Sequence, residues 1–332
     1  MSSLKEILVK FKLEKTARWL RNFYLLFINY FQDLFNYFKY SSVFSKDNIY
    51  KLESDVIMAY HSIEKGFLHH KIRPKFAREK VILILNNISR LDEFDYSNSQ
   101  IISAKNVLCK YYEYHLSENV CIDSFFSRQM YEKIKKDSND EFSPVHVVQK
   151  NKFYEHSCSS FTEFSKSRKS LRDFSNEIID YKKIQEVVKL ANTAPSVCNR
   201  QSSKVYLVNS KDTIDNVLRI QGGFVGYENN VKQLLILTSN KNFFYTIGER
   251  NQVYIDGGIY LMNLLYSLHF YKIAACPANW GKCVSDDKKI RKYLNIPMSE
   301  QIICLIPIGY PKDEILYANS ERRSIKETLV II

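Results

Sequence analysis

SRKSLRDFSNEIIDYKKIQEVVKLANTAPSVCNRQSSK, residues 167–204, sets the frame for the whole chain. Arg168, Lys169 and Arg172 place three cations within a few residues, with the Ser170 hydroxyl among them. Apolar residues then recur at helical spacing, so that Ile184, Val187, Val188 and Ala191 share a face. Asp180 stands ahead of them as an N-cap, since a short carboxylate accepts from the first orphan N–H groups. Pro195 stops the helix, because it lacks an N–H and biases Ala194 away from the helical region. The chain then turns through Ser196, Val197 and Cys198 to Asn199, Arg200 and Gln201. One short unit thus carries cations suited to a phosphate at one end and amides suited to a heterocycle edge at the other. A solvated basic cluster and ordinary turn chemistry would give the same pattern, and spacing alone leaves both readings open.

The rest of the composition narrows the class. A chain of 332 residues is long enough for two cores. Hydrophobic content of 45% and charged content of 25% are those of a folded protein rather than a disordered one. A net charge of +12 favours anionic ligands or surfaces without naming a chemistry. The seven cysteines are scattered and odd in number, which fits free thiols in a reducing compartment better than a disulfide framework. His61, His69 and His70 have no Cys or carboxylate partners at ligand spacing, so no metal site is expected. Neither is a nucleic-acid partner.

Upstream of residue 144 there is one glycine, Gly66, and one proline, Pro74. A β-rich segment needs more turn residues than that, so this half reads as mainly helical. Val81, Leu83, Ile84, Leu85 and Ile88 belong to one helix; Ile101, Ile102, Val107, Leu108, Tyr111 and Tyr112 belong to another. Residues 19–40 are strongly aromatic, but their uncharged run from Asn22 to Gln32 is far short of the ~20 residues that span a bilayer. They read as a core or partner-facing helix, or as a helix lying in a membrane surface with Arg18, Arg21 and Lys39 at its margins. His61, Glu64 and Lys65 lie three and four apart on one helix face, which Gly66 is expected to end. A capped helix with a surface ion pair is the plain reading of this stretch. A polar lobe that shapes a pocket, with His61, Lys65 and Arg73 toward substrate, is the sharper one. The charged, turn-rich residues 133–152 read as a linker.

Downstream, residues 205–209 and 233–238 read as buried strands with a helix at 213–220 between them. Residues 273–277 and 302–308 read as further strands, with Ser285 as an N-cap candidate between them. The helix that follows Gly257 and Gly258 is apolar on most faces, which a subunit interface would explain.

The order Arg-x-Ser-x-Arg-x-Phe, helix, Ala-Pro-Ser, x-x-Asn-x-Gln resembles the opening of the nitroreductase family of FMN enzymes. GGIYLMNLLYSLHFYKIAACPANWGK resembles the central helix and following strand of that family, DDKKIRKYLNIP its short helix, IICLIPIGYP its last core strand and ERRSIKETL its basic tail. The resemblance runs over about residues 160–332. It implies an α+β fold, an antiparallel sheet flanked by helices, here preceded by a mainly helical N-terminal lobe. The division expected is a helical lobe over residues 1–150 and an FMN-binding domain over residues 151–332. The extra lobe is similar to the one on nitroreductase-like proteins of bacterial surface-polysaccharide gene clusters.

The resemblance also implies a tight homodimer with FMN at its interface. Arg168 and Ser170 match groups that hold the phosphate and ribityl chain, Lys169 stands where the family varies, and Arg172 matches a residue reaching the ribityl chain and pyrimidine edge. Asn199 matches an amide reading the flavin edge from the partner side, with Ser196 and Gln201 in the same turn. Asn279, Trp280 and Gly281 fall in a strand-to-helix turn that supplies donors, and Arg322 or Arg323 matches a basic residue that closes on the phosphate. No catalytic side chain is expected, since hydride passes between cofactor and substrate. The function implied is an FMN-dependent oxidoreductase with NAD(P)H as co-substrate and an organic acceptor, in a cytoplasmic protein at most peripheral to the inner face of the membrane. The alternative is a catalytically idle, flavin-holding or membrane-docking accessory protein of polysaccharide assembly. Ser202 and Ser203 replace the Pro and aromatic residue common in the family, which argues against a standard nitroaromatic pocket.

Overall fold

The structure is a computed structural model that describes residues 14–46 and 48–332. In chain order these form helices α1 (Glu14–Tyr40), α2 (Ile49–Phe67), α3 (Arg78–Asp92), α4 (Ser99–Ser117) and α5 (Arg128–Lys135), then strand β1 (Val145–Gln149). Short helices α6 (Lys150–Phe153) and α7 (Phe161–Ser167) lead to α8 (Tyr181–Ala191), β2 (Ser203–Val208), α9 (Lys211–Gln221) and β3 (Gln233–Asn240). Then come α10 (Gln252–Phe270), β4 (Ala274–Ala275), β5 (Ala278–Asn279), α11 (Val284–Ile290), β6 (Glu300–Gly309), β7 (Glu314–Ala318) and α12 (Ile325–Thr328).

The sheet explains the apolar runs. Strands lie in the order β2-β3-β6-β4, with β5 also paired to β6, and every pairing is antiparallel. Side chains of β3 alternate between two cores, as a strand covered on both faces requires. Leu234 and Ile236 join Ile214, Val217 and Leu218 of α9, whereas Leu235 and Leu237 join Ile184 and Val187 of α8 and Leu264 and Leu268 of α10. The α+β fold with an antiparallel sheet flanked by helices is therefore the one expected. Asp180 caps α8, its carboxylate accepting from the Lys182 N–H at 2.7 Å. Gly222 ends α9 in the left-handed region at φ 74°, which favours glycine.

Three local expectations need correction. The single strand expected at 273–277 is two short ones, because Pro277 between them has no N–H for a ladder. Ser285 is not an N-cap: α11 starts at Val284, and the Cys283 carbonyl already accepts from Asp286 and Asp287. Helix α2 runs past Gly66 to Phe67. Gly66 serves close approach instead, since a Cβ there would lie 2.3 Å from the Phe76 ring.

Helices α2 to α5 wrap a core of their own that includes Leu52, Val56, Ile63, Ile84, Leu108, Tyr111 and Phe126. The stretch read as a linker is more than that. Its strand β1 pairs antiparallel with β7, from Val145 opposite Ala318 to Gln149 opposite Glu314. Three further ties bind the helical lobe to the chain's C-terminal segment. Glu64, fully buried, accepts from the Ser320 N–H at 3.2 Å. Glu53 pairs with Arg323 at 2.7 Å, and Glu327 accepts from the Ser99 N–H at 3.1 Å. Helix α1 buries none of its residues and so is no core helix of this chain.

Candidate functional site

Residues 168–172 leave α7 in extended conformation. Leu171 points into the core and donates its N–H to the Ala275 carbonyl at 3.0 Å. Its neighbours Arg168, Lys169, Ser170 and Arg172 line a cavity of about 360 Å³ at the joint between sheet and helical lobe. Ile57, Tyr60 and His61 of α2 and Gln100 of α4 supply more of its wall, and Ala318 to Arg322 and Pro277 complete it.

Electrostatically this cavity is unbalanced. Among the described residues, Arg168, Lys169 and Arg172 make no ion pair with a carboxylate; Glu321 is the acid in the lining. Burial, then the neighbouring Arg322, pushes the Arg168 guanidinium below its ordinary value. Burial, then Arg322 and Arg168, does the same to Lys169. Desolvated like charges without partners cost free energy, which a bound anion would recover. Behind Arg168 sits His269, whose Nε2 meets the Ser167 hydroxyl at 2.7 Å. Burial, with Arg168 beside it, pushes His269 down to about 4, so it adds no further charge near neutral pH.

The lobe side is ordered by hydrogen bonds. Tyr60 donates to the Gln100 side-chain oxygen at 2.6 Å. Burial, followed by the charges of Glu64 and Glu321, raises the Tyr60 hydroxyl well above its usual range, so it remains a neutral donor. His61 Nδ1 lies 3.2 Å from Glu64 Oε2, and the same carboxylate holds Ser320. The pair expected on the surface is thus anchored by a buried acid, with the imidazole in the cavity lining. Lys65 lies near Arg172: burial, then that charge, lowers its ammonium. Arg73 is exposed outside this cavity and acts on His69 instead.

The basic tail divides its two arginines. Arg322 lines the cavity and donates to the Ser320 carbonyl at 2.5 Å. Arg323 is taken by Glu53 and Glu327.

The far end of α8 lies elsewhere. Ser196 and Gln201 line a second cavity of about 160 Å³ together with Asn192, Asp256 and Tyr260. Cys198, Asn199 and Gln201 all have positive φ, at 48°, 54° and 50°. Two contacts hold this strained turn: Ser196 Oγ accepts from the Gln201 N–H at 2.9 Å, and Asp256 accepts from the Val197 N–H at 3.3 Å. Arg200 in the same turn is bound by Glu249, whose carboxylate that contact holds down to about 2. Asn279 and Gly281 are exposed and line neither cavity. The Trp280 indole lies in the core and donates to Asp287 at 3.3 Å, and Trp280 too lines neither cavity.

Asp256 and His269 escaped the sequence reading, although each had a signal: they are the acid and the histidine of a largely apolar helix. Tyr60 and Gln100 had none, since forty residues separate two side chains that meet only in the fold.

Residues 165–310 match the model of the Nitroreductase family. Iodotyrosine deiodinase 1 of Pongo abelii is 22% identical over 204 residues, covering 52% of this chain and 68% of the relative. The Sus scrofa protein of that name is 21% identical with the same coverage. Among solved structures, a nitroreductase-like protein from Streptococcus mutans superposes with a TM-score of 0.44 at 19% identity, covering 52% of this chain and 97% of that one. An FMN-dependent nitroreductase from Clostridium difficile R20291 gives 0.40 at 20%, covering 50% and 92%. The matched stretch, residue 165 to residue 310, is the one that builds the sheet and supplies most of the cationic wall, and there this chain is similar to the nitroreductase family.

Proposed function

We propose that the chain is an FMN-dependent oxidoreductase that passes hydride from NAD(P)H to an organic acceptor, working as a homodimer. The observation that carries the reading is the set of unpaired cations Arg168, Lys169, Arg172 and Arg322 around one cavity with the Ser170 hydroxyl. That donor set fits a phosphate monoester: guanidinium groups give forked, charge-assisted contacts and the hydroxyl can donate alongside. Bound FMN would supply the hydride chemistry, and the protein's part is orientation and electrostatics. Arg168, Ser170 and Arg322 serve the phosphate end. Arg172, next along the wall, brings positive charge toward the pyrimidine end, which favours the reduced cofactor. His61 and Lys65 belong to the acceptor side of the lobe.

A single chain provides only part of such a site, because Ser196, Asn199 and Gln201 stand on other surroundings. The homodimer reading lets the partner's turn complete it. Helix α10 leaves Ile255 and Ile259 about half exposed along one side, and Leu329 to Ile332 extend from the body without cover. Both features suit a subunit interface.

The test is direct. The purified chain should be yellow, release FMN rather than FAD on heating, and bleach with NADH or NADPH without oxygen. A protein that cannot be reconstituted with FMN would overturn the proposal, and one that binds FMN but accepts no electrons from either nucleotide would leave only the flavin-holding role.

A further inference from the structure

Helix α1 is mounted with its polar side toward its own protein. From Arg21 to Tyr40 only Leu25, Asn29 and Asp33 are half-buried, a row at helical spacing. Asp33 accepts from Arg250 twice, at 2.6 and 3.0 Å, and the Lys39 carbonyl accepts from Lys51 at 3.4 Å. The opposite face carries Leu20, Phe23, Phe27, Phe31, Leu34 and Phe38, each more than half exposed. At 3.6 residues per turn the large apolar side chains of α1 fill an arc of about 200° that turns away from the body. A helix on the surface of a globular protein does the reverse.

Two occupants could cover such a face, a second copy or a lipid surface. A paired helix buries a narrow seam, which would leave Trp19 and Phe35, on the two flanks of the arc, in water. A lipid surface covers the whole arc. The charges agree with lipid: Arg21 and Lys39 lie together on one polar margin of that arc, and Arg250 neutralises Asp33. Long basic side chains can lay their stems on an apolar surface and reach headgroups with their tips. Among the described residues no helix is long and apolar enough to cross a membrane, so the helix would lie in the plane.

We propose that α1 docks the protein on an anionic lipid surface, with its aromatic face in the headgroup region and its polar row holding the body above it. The reading is independent of the cofactor. The test is flotation of the full-length protein with phosphatidylcholine vesicles, with and without phosphatidylglycerol. Wild type should float with the anionic vesicles and much less with phosphatidylcholine alone. Phe27→Asp combined with Phe31→Asp should reduce flotation about tenfold or more with an unchanged melting curve. Arg21→Gln combined with Lys39→Gln should reduce it about tenfold on anionic vesicles only. Wild type that stays with the soluble fraction, or floats equally on both vesicles, would overturn the proposal. So would the Phe27, Phe31 variant floating like wild type. Sedimentation without lipid in which that variant loses an assembly present in wild type would give the face to a second copy.

Discussion

Arg168 to Arg172 and Ser196 to Gln201 flank the same short helix, yet they meet different surroundings. The first segment faces a cavity that the chain closes for itself, with Tyr60, His61 and Gln100 from the helical lobe and Arg322 from the tail. The second is held from behind by Asp256 and at its side by the Arg200–Glu249 pair, and opens beside a helix whose Ile255 and Ile259 are half exposed. The contrast separates two problems that the sequence presents as one. Under the proposed function, anion binding would be solved within a chain, whereas reading a heterocycle edge with Asn199 would require another surface. Under the homodimer reading that surface is the partner, and the comparison becomes testable one side at a time.

The largest effect should come from the open side. Ile259→Asp puts a charge where the proposed partner would cover it, and an unpaired buried charge is strongly unfavourable. Sedimentation should show dimer for wild type and monomer for the variant, with loss of FMN as well. Wild type that stays monomeric at micromolar concentration would break the comparison, because the turn would then have nothing to complete.

Acid should act next, and between pH 6.5 and 4 through the closed side. His269 is held neutral down to about 4 against an ordinary 6.5. As pH falls through 6.5 the unfolded chain takes up a proton that the folded chain refuses, so stability is lost until about pH 4. The full loss is on the order of 3 kcal/mol. Above 6.5 the group contributes no slope. His269→Gln should flatten the decline of stability between those values, whatever offset it introduces. Equal slopes in denaturant titrations of variant and wild type would show that other groups set the acid limb.

Arg168→Ala follows. It removes a charge-assisted contact worth about 1.5–3 kcal/mol, so FMN affinity should fall roughly tenfold to a hundredfold. The free protein should not be destabilised by the loss of a charge that Arg322 opposes. Unchanged affinity would move the phosphate away from this wall.

The same division marks what the sequence made legible. Local chemistry was readable: Asp180 caps the helix it was assigned to, and the alternation of β3 follows from covering both faces. The cluster Arg168, Lys169, Ser170 and Arg172 was visible because neighbours in sequence share one wall. Contacts over long separation were not. Nothing near Val145 announces that it will pair with Ala318, and nothing near Gln100 points to Tyr60. The choice between Arg322 and Arg323 was also closed to sequence, because it depends on Glu53, a buried acid in another element. Asp256 was readable in principle as the one acid in an apolar helix. Its removal tests the open side gently: Asp256→Ala deletes long hydrogen bonds to Val197 and should cost about 1 kcal/mol, while weakening FMN binding by loosening the turn. A variant with wild-type affinity would make that turn irrelevant to the cofactor.

The smallest effects belong to the lobe, and they separate cover from scaffold. Lys65 and Arg73 are both cations near the site in sequence, but only Lys65 feels Arg172. Its ammonium is lowered by burial first and by that neighbour second, so in the free protein it is a mild liability. Lys65→Ala should therefore change stability by less than about 1 kcal/mol, the scale of weak surface pairs, and toward greater stability. Arg73 is exposed, and its resolved influence is on His69, so Arg73→Ala should change neither stability nor turnover. Hydride uptake from NAD(P)H should be the same in wild type and both variants, since neither residue lines the phosphate wall. Oxidation by an organic acceptor should slow in Lys65→Ala alone if the lobe shapes the acceptor's approach. Stopped-flow traces of the two half-reactions distinguish the cases. Equal oxidative rates in all three proteins, across several acceptors, would leave Lys65 as part of the scaffold and would place the acceptor on the open side, beside the turn.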